Sequence, residues 1–488
     1  MNETSILIII LLYFGVLLAV ARIIGKKHSG NDAFFLGNRK SPWYVVAFGM
    51  IGASLSGVTF VSVPGMVGKF DMTYMQMVAG FLLGYAVIAF VLLPIYYRLN
   101  VAGIYAYLDG RIGRKARKTA AGFFILSRTV TAAARLYVAV LILQTYCFDA
   151  RRIPFALTAA AFLLMIWLYT HKSGIMTIVW TDLLQTFFML AALVIIILQV
   201  AKGLNLDFSG MIAAVKESPH SRIFVFDDWR SQQHFFKQFF GGMFVTIAMT
   251  GIDQEMMQKN LSCKNLREAQ KNVCTCSLFF IPVNFLFLSL GILALNYASA
   301  NHIALPAMGD DILPTLITGG YFGTAAIIFF ITGIIAVTFA GADSALTGLT
   351  TSVCVDFLGI NKYGEKKARQ IRLVVHAAIS FAFIGIMLLF KAINNTSVID
   401  ALYRIVSYTY GPLLGLFAFG ILFKTKTCDG AVPYLCLLSP ILCFAGDCLL
   451  GATVGYRFGY ELLIVNAALV AVGLFIIPPR KPRPVCNE

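Results

Sequence analysis

The sequence predicts an all-α polytopic membrane protein of about 13 transmembrane helices. Two observations carry that fold class. Of 488 residues, 59% are hydrophobic and only 13% are charged, where ordinary soluble domains carry about 25% charge. Apolar runs long enough to cross a bilayer also recur from one end of the chain to the other. Mean hydropathy is +0.80. Such a composition excludes a soluble enzyme, a disordered chain and a fibrous repeat. The net charge of +16 would suit a nucleic-acid partner. The basic residues lie instead in short loops between apolar runs, the pattern that sets membrane orientation, so no nucleic acid is expected.

The first run, 4–24, lacks a basic start and a small-residue cleavage site, and Arg22, Lys26 and Lys27 follow closely. It reads as an uncleaved helix. Spans at 42–67, 74–97, 120–147, 153–170 and 174–201 come next. The loop 202–235 has mixed charge and is expected to be partly helical at the surface. The second half holds spans at 236–256, 273–296, 319–352, 371–391, 397–423, 431–453 and 459–477, then a Pro-rich basic tail with no soluble domain expected beyond it. The stretches 22–40, 98–118, 259–271 and 362–372 carry most of the Lys and Arg, with Lys259 counted among these loop residues. The positive-inside rule makes that side cytoplasmic, with the N-terminus outside, the C-terminus inside and the protein in the cytoplasmic (inner) membrane. Ten cysteines lie scattered, mostly in apolar runs, and form neither a disulfide frame nor a zinc-ligand spacing.

Two spans should be broken. The run Phe48–Phe60 places Gly49, Gly52, Gly57, Ser54, Ser56 and Thr59 at membrane depth, with Pro64-Gly65 beyond. The run Gly241–Gln254 repeats the device with Gly241, Gly242, Thr246, Thr250, Gly251 and Asp253. Glycines and hydroxyls weaken a helix, and unwound backbone at that depth must line a cavity or be buried in protein. The two lie five spans apart, the arithmetic of LeuT-type 5+5 inverted repeats, whose broken helices hold substrate and ions at the midplane. Small-residue helix packing would produce similar composition. The implied organisation is an extra helix and loop at 1–40, a first repeat at 41–201, a loop at 202–235, a second repeat at 236–423, and two further helices with the tail at 424–488.

Ionisable residues inside spans are functional candidates by default. Here they are Asp182, Asp343, the pair Arg128 and Arg135 seven residues apart, and Arg404. On a helix Ala340, Asp343, Ser344 and Thr347 share a face. Asp182 and Asp343 are suited to a hard cation or a proton, while an internal ion pair such as Asp343 with Arg135 would also satisfy them.

At these residues the sequence resembles the sodium:solute symporter family. The resemblance rests on Ser56-Gly57-Val58-Thr59-Phe60, Ala134-Arg135-Leu136-Tyr137-Val138, Trp180-Thr181-Asp182, Gly251–Leu261, Asp343-Ser344-Ala345-Leu346-Thr347 and Val355-Asp356. It implies a LeuT-like core of ten helices. It also implies a main sodium site built from backbone carbonyls matching Gly52, Leu55 and Val337 and from two adjacent hydroxyls. Those hydroxyl positions are Ala340 and Gly341 here, so the pair is missing. A second sodium site of some members is retained as Asp182, Asp343 and Ser344, made more acidic. The resemblance places substrate contacts at Ser54, Ser56, Thr59, Gln76, Arg135, Phe244 and Met249.

The expected function is cation-coupled symport of a small polar organic solute: a sugar, sugar acid, amino acid or other organic anion. Na⁺ is the expected coupling ion. H⁺ coupling, or uniport without coupling, is the alternative raised by Ala340-Gly341, and a transporter-like sensor is a lesser one. No enzyme motif, cofactor or obligate protein partner is expected beyond membrane lipid, because the six His are dispersed and no metalloprotease or nucleophile-elbow motif occurs.

Overall fold

The structure, a computed structural model, describes residues 3–27, 30–55, 57–171, 174–393 and 398–477. Ser56 and the basic tail beyond 477 lie outside the described residues, as does the side chain of Arg404. The helices that matter to the site are α1 (Glu3–Lys27), α2 (Trp43–Ser54), α3 (Gly57–Gly65), α4 (Tyr74–Leu99), α5 (Arg114–Leu143), α6 (Phe155–Thr170) and α7 (Ile175–Gly203). They continue with α8 (Phe235–Gly251), α9 (Gln254–Leu261), α10 (Leu266–Ala300), α11 (Gly323–Phe357), α12 (Glu365–Ile393), α13 (Val398–Leu422), α14 (Val432–Thr453) and α15 (Leu462–Ile476). Among the described residues nine helices are long and apolar enough to cross a membrane, eleven with two bent pairs joined as single spans. The two shorter apolar helices are α6 and α15. Each of the thirteen apolar runs read from the sequence is therefore helical. In the 202–235 loop a helix forms at Phe208–Lys216, capped by the Asp207 carboxylate on the Gly210 N–H. That bond and the Ser209 hydroxyl hold the Asp207 carboxyl below the ordinary range.

Both expected breaks are present. α2 stops at Ser54, Leu55 is extended (φ −82°, ψ 114°), and the chain resumes as α3 after a 60° bend. Glycines on α2 let α7 approach backbone to backbone. A Cβ on Gly52 would lie 2.2 Å from Thr186 Oγ1 and 3.1 Å from its Cα, and one on Gly49 would lie 2.9 Å from Asp182 Cβ. The Thr186 hydroxyl serves both glycines, accepting from Gly52 N–H at 3.2 Å and donating to Gly49 C=O at 3.3 Å. A Gly52→Ala protein is expected to lose about 1–3 kcal/mol through overpacking, read as a lower melting temperature in detergent. An unchanged melting point would mean that α2 and α7 separate freely at this crossing.

The second break turns 67° between α8 and α9. Ile247–Gly251 is a π-turn and Asp253 is extended (φ −97°, ψ 123°). Polar groups freed there are taken up by neighbouring side chains, as depth in a membrane demands. Tyr96 Oη donates to Gly251 C=O at 3.0 Å and Tyr105 Oη to Ile252 C=O at 3.2 Å. The Asp253 carboxylate caps α9 by accepting from Met256 N–H at 3.2 Å.

One boundary differs from the sequence expectation in a way that changes the site. The span read as ending at 256 continues to Leu261, and all eight residues of α9 are buried. Lys259, counted among exposed loop residues, is one of them. A helix this polar offers no apolar stripe, so hydropathy ended the span too early.

Candidate functional site

α9 is held by its polar side chains, each reaching a different neighbour. Gln254 accepts from Ile104 N–H at 2.9 Å and donates to Ala102 C=O at 2.8 Å. Gln258 donates to Phe35 C=O at 2.8 Å and to the Thr351 hydroxyl at 2.9 Å. Glu255 and Lys259 stand one turn apart on the same face and enter two buried charge clusters.

The first cluster lies between α7, α9 and α11. Lys259 Nζ donates to Asp182 Oδ2 at 2.6 Å, with both side chains 1% exposed. Asp343 on α11 accepts from Tyr169 Oη of α6 at 2.7 Å and from Ser344 Oγ at 3.1 Å. Asp182 and Asp343 lie within electrostatic reach of each other, of Lys259 and of Tyr13 on α1. Several buried polar atoms here have no hydrogen-bond partner among the described residues: Asp182 Oδ1, both amide atoms of Gln185 one turn along α7, and Thr347 Oγ1 one turn along α11. Buried polar atoms are ordinarily satisfied, so this group is what a site for an ion or water looks like.

The second cluster joins α5, α9 and α13. Arg128 Nε donates to the Glu255 carboxylate and lies 3.8 Å from Asp253 Oδ2. Tyr410 Oη donates to Asp253 Oδ2 at 2.5 Å. Gly348 lets α11 pass so close that a Cβ there would lie 2.8 Å from Glu255 Cα. Neither Glu255, Asp253 nor Tyr410 was singled out as a site residue from the sequence. The signal for them was available: three acidic or basic residues within seven positions of a broken span, at Asp253, Glu255 and Lys259.

A cavity of about 130 Å³ is lined by residues of both helix breaks. Ser54, Thr59, Arg135 and Met249, all expected as substrate contacts, line it together with Arg128 and Tyr85. Asn284 of α10 and Tyr460, just before α15, complete the wall and were missed, because nothing in their local sequence marks them. Gln76 and Phe244 are not among the lining side chains. Gln76 is instead a clamp on the loop after α7: its amide donates to Gln233 C=O at 2.9 Å and its oxygen accepts from Val225 N–H at 3.0 Å. Phe244 packs against the hydrophobic core. Of the residues matched to the main sodium site, Leu55 lines the cavity, Gly52 N–H is spent on Thr186, and Val337 and Gly341 line a smaller void of about 20 Å³ beside Arg128 and Arg135.

A family profile described as sodium:solute symporter family matches residues 34–436. Among curated proteins, the chain is 24% identical over 438 residues to the sodium/sialic acid symporter of Proteus mirabilis, covering 86% of this chain and 85% of the relative. It is 24% identical over 443 residues to the sodium-dependent multivitamin transporter of Oryctolagus cuniculus, covering 86% of this chain and 67% of the relative. Among solved structures, a Na⁺-coupled sialic acid symporter in a substrate-bound outward-open state superposes with a TM-score of 0.82 at 19% identity, covering 96% of this chain and 97% of that one. A nucleobase-cation-symport-1 family transporter in a closed conformation gives a TM-score of 0.52 at 12% identity, covering 90% and 93%. At these identities the structural likeness establishes the LeuT-like fold.

Proposed function

The chain belongs to the sodium:solute symporter family, and from that premise we propose that it is a Na⁺-coupled symporter of a small organic solute bearing a carboxylate. It is an integral membrane protein, and the face carrying the basic loops is cytoplasmic. Residues 41–201 and 236–423 form the two inverted repeats, and rocking of one against the other opens the cavity alternately to either side.

The observation that carries this reading is a cavity at two broken helices, lined by an arginine, Arg128, that is itself paired to the buried Glu255 and Asp253. The cavity lining combines hydroxyls from Ser54 and Thr59, an amide from Asn284 and the Arg135 guanidinium with the apolar side chains of Met77 and Phe81. A guanidinium is the group suited to a planar carboxylate. Arg135 lines the cavity, and its guanidinium is the group we assign to the solute. Relatives named for sialic acid, vitamin and monocarboxylate transport support an anionic organic solute.

With Ala340 and Gly341 in place of the hydroxyl pair, the coupling ion sits at Asp182, Asp343 and Ser344. The carbonyls of Gly52, Leu55 and Val337 offer at most an incomplete cage, and no side-chain oxygen from positions 340 and 341 completes it.

The test is uptake into proteoliposomes under an inward Na⁺ gradient, using sialic acid, other sugar acids, monocarboxylates and neutral sugars as probes. Uptake of a carboxylate that stops when choline replaces Na⁺ is expected. Arg135→Gln should raise KM for that solute at least tenfold, the loss of about 1.4 kcal/mol of charge-assisted bonding. Uptake driven by a pH gradient and indifferent to Na⁺ would transfer the coupling to H⁺ on the same carboxylates.

A further inference from the structure

We propose that Lys259 is a tethered cation: its ammonium holds the position at Asp182 that a free monovalent cation would otherwise occupy, so the α7–α9–α11 cluster keeps room for one mobile cation and not two. The inference rests on the ion site of the preceding reading and adds its charge count.

Asp182 and Asp343 bring two negative charges and Lys259 brings one positive, leaving a deficit of one. The other charged group in reach of Asp182 is Glu255, which belongs to the neighbouring cluster in which Arg128 faces both Glu255 and Asp253; the deficit of one is that of the α7–α9–α11 groups alone. Lys259 Nζ is placed as a ligand would be, 2.6 Å from Asp182 Oδ2 and sealed from solvent. The hydrogen-bond partners of Asp343 are hydroxyls, which orient its charge without cancelling it. An uncompensated carboxylate in a low-dielectric interior is costly, so the remaining deficit calls for a cation from solution. The unpartnered Asp182 Oδ1, Gln185 Oε1 and Thr347 Oγ1 are the oxygens left to receive it.

The tether also has a mechanical consequence. Lys259 rides on α9, the second half of a broken helix, while Asp182 belongs to α7. The closest crossing of α7 with α2 is at Gly49 and Gly52, beside the same aspartate. Any rocking that carries α9 away from α7 must part this ion pair and expose Asp182 to solution.

The experiment is equilibrium binding of ²²Na⁺ to the purified full-length protein in detergent, with melting temperature followed against NaCl at constant ionic strength in choline chloride. Lys259→Met keeps the bulk and removes the charge, and it should bind one more Na⁺ per chain than the parent and be stabilised more by Na⁺. Lys259→Arg should match the parent count. A folded Lys259→Met protein that binds no more Na⁺ than the parent overturns the tether and leaves the symport reading standing. A parent that binds no Na⁺, beside a Lys259→Met protein that binds one, keeps the tether and overturns Na⁺ coupling. If Lys259→Met does not fold at any Na⁺ concentration, the double variant Asp182→Asn/Lys259→Met, with both charges gone, decides. It should bind Na⁺ in the same number as the parent, and loss of binding overturns the proposal.

Discussion

An Arg128→Met protein is expected to lose about 3–5 kcal/mol of stability, the cost of stripping the counter-charge from buried acids. Arg128 is buried and stands against Glu255 and Asp253 at once, so its removal leaves two carboxylates with only neutral donors, Tyr410 Oη and Met256 N–H, both on Asp253. The same guanidinium ties α5 to α9, and Asp253 carries the tie on to α13 through Tyr410. Arg128→Lys restores the charge but not the planar fork, and it should fall between the parent and Arg128→Met. Replacing the acids as well, in Arg128→Met/Asp253→Asn/Glu255→Gln, should recover much of the loss, because neutral polar groups cost less to bury than unpaired charges. Thermal unfolding in detergent measures the series. A melting point for Arg128→Met equal to the parent's would mean that water reaches these carboxylates.

The fold was legible because membrane helices announce themselves by length and apolarity, and the breaks because glycine and hydroxyl clusters are expensive at membrane depth. Gly52 and Gly49 illustrate how such composition reads two ways, since they serve both helix breaking and the close crossing of α7. The site was legible wherever a charge interrupted an apolar run, as at Asp182, Asp343, Arg128 and Arg135. It was illegible where the buried element is itself polar. α9 looks like a loop by hydropathy, yet its residues are buried because Gln254, Glu255, Gln258 and Lys259 each have a partner elsewhere in the fold. The run of Asp253, Glu255 and Lys259 at a broken span is the local sign of it, and hydropathy, which does not weigh such charges as buried, placed Lys259 among loop cations. Gln76 shows the converse error: a polar residue beside a cavity-lining helix that is wholly used in clamping a loop.

Asp343→Asn is expected to abolish Na⁺ dependence altogether. The substitution brings the formal charge of Asp182, Lys259 and position 343 from minus one to zero, removing the demand for a mobile cation. Its fold should survive, because an Asn Oδ1 still accepts from Tyr169, which now donates at 2.7 Å. The stabilisation lost is that of the bound ion, RT ln(1 + [L]/Kd), or about 2.7 kcal/mol at a Na⁺ concentration one hundred times Kd. The melting temperature of the variant should therefore be flat against NaCl where the parent's rises. Charge counting makes a sharper demand on two further proteins. Asp182→Asn also sums to zero, since Lys259 can compensate only one carboxylate, and it too should lose its Na⁺ response. Asp343→Asn/Lys259→Met sums again to minus one, now at Asp182, and should regain a response that neither Asp343→Asn nor any volume argument would supply. If Asp343→Asn keeps the full Na⁺-dependent rise, the ion is bound elsewhere, and the carbonyls of Gly52, Leu55 and Val337 become the site to test.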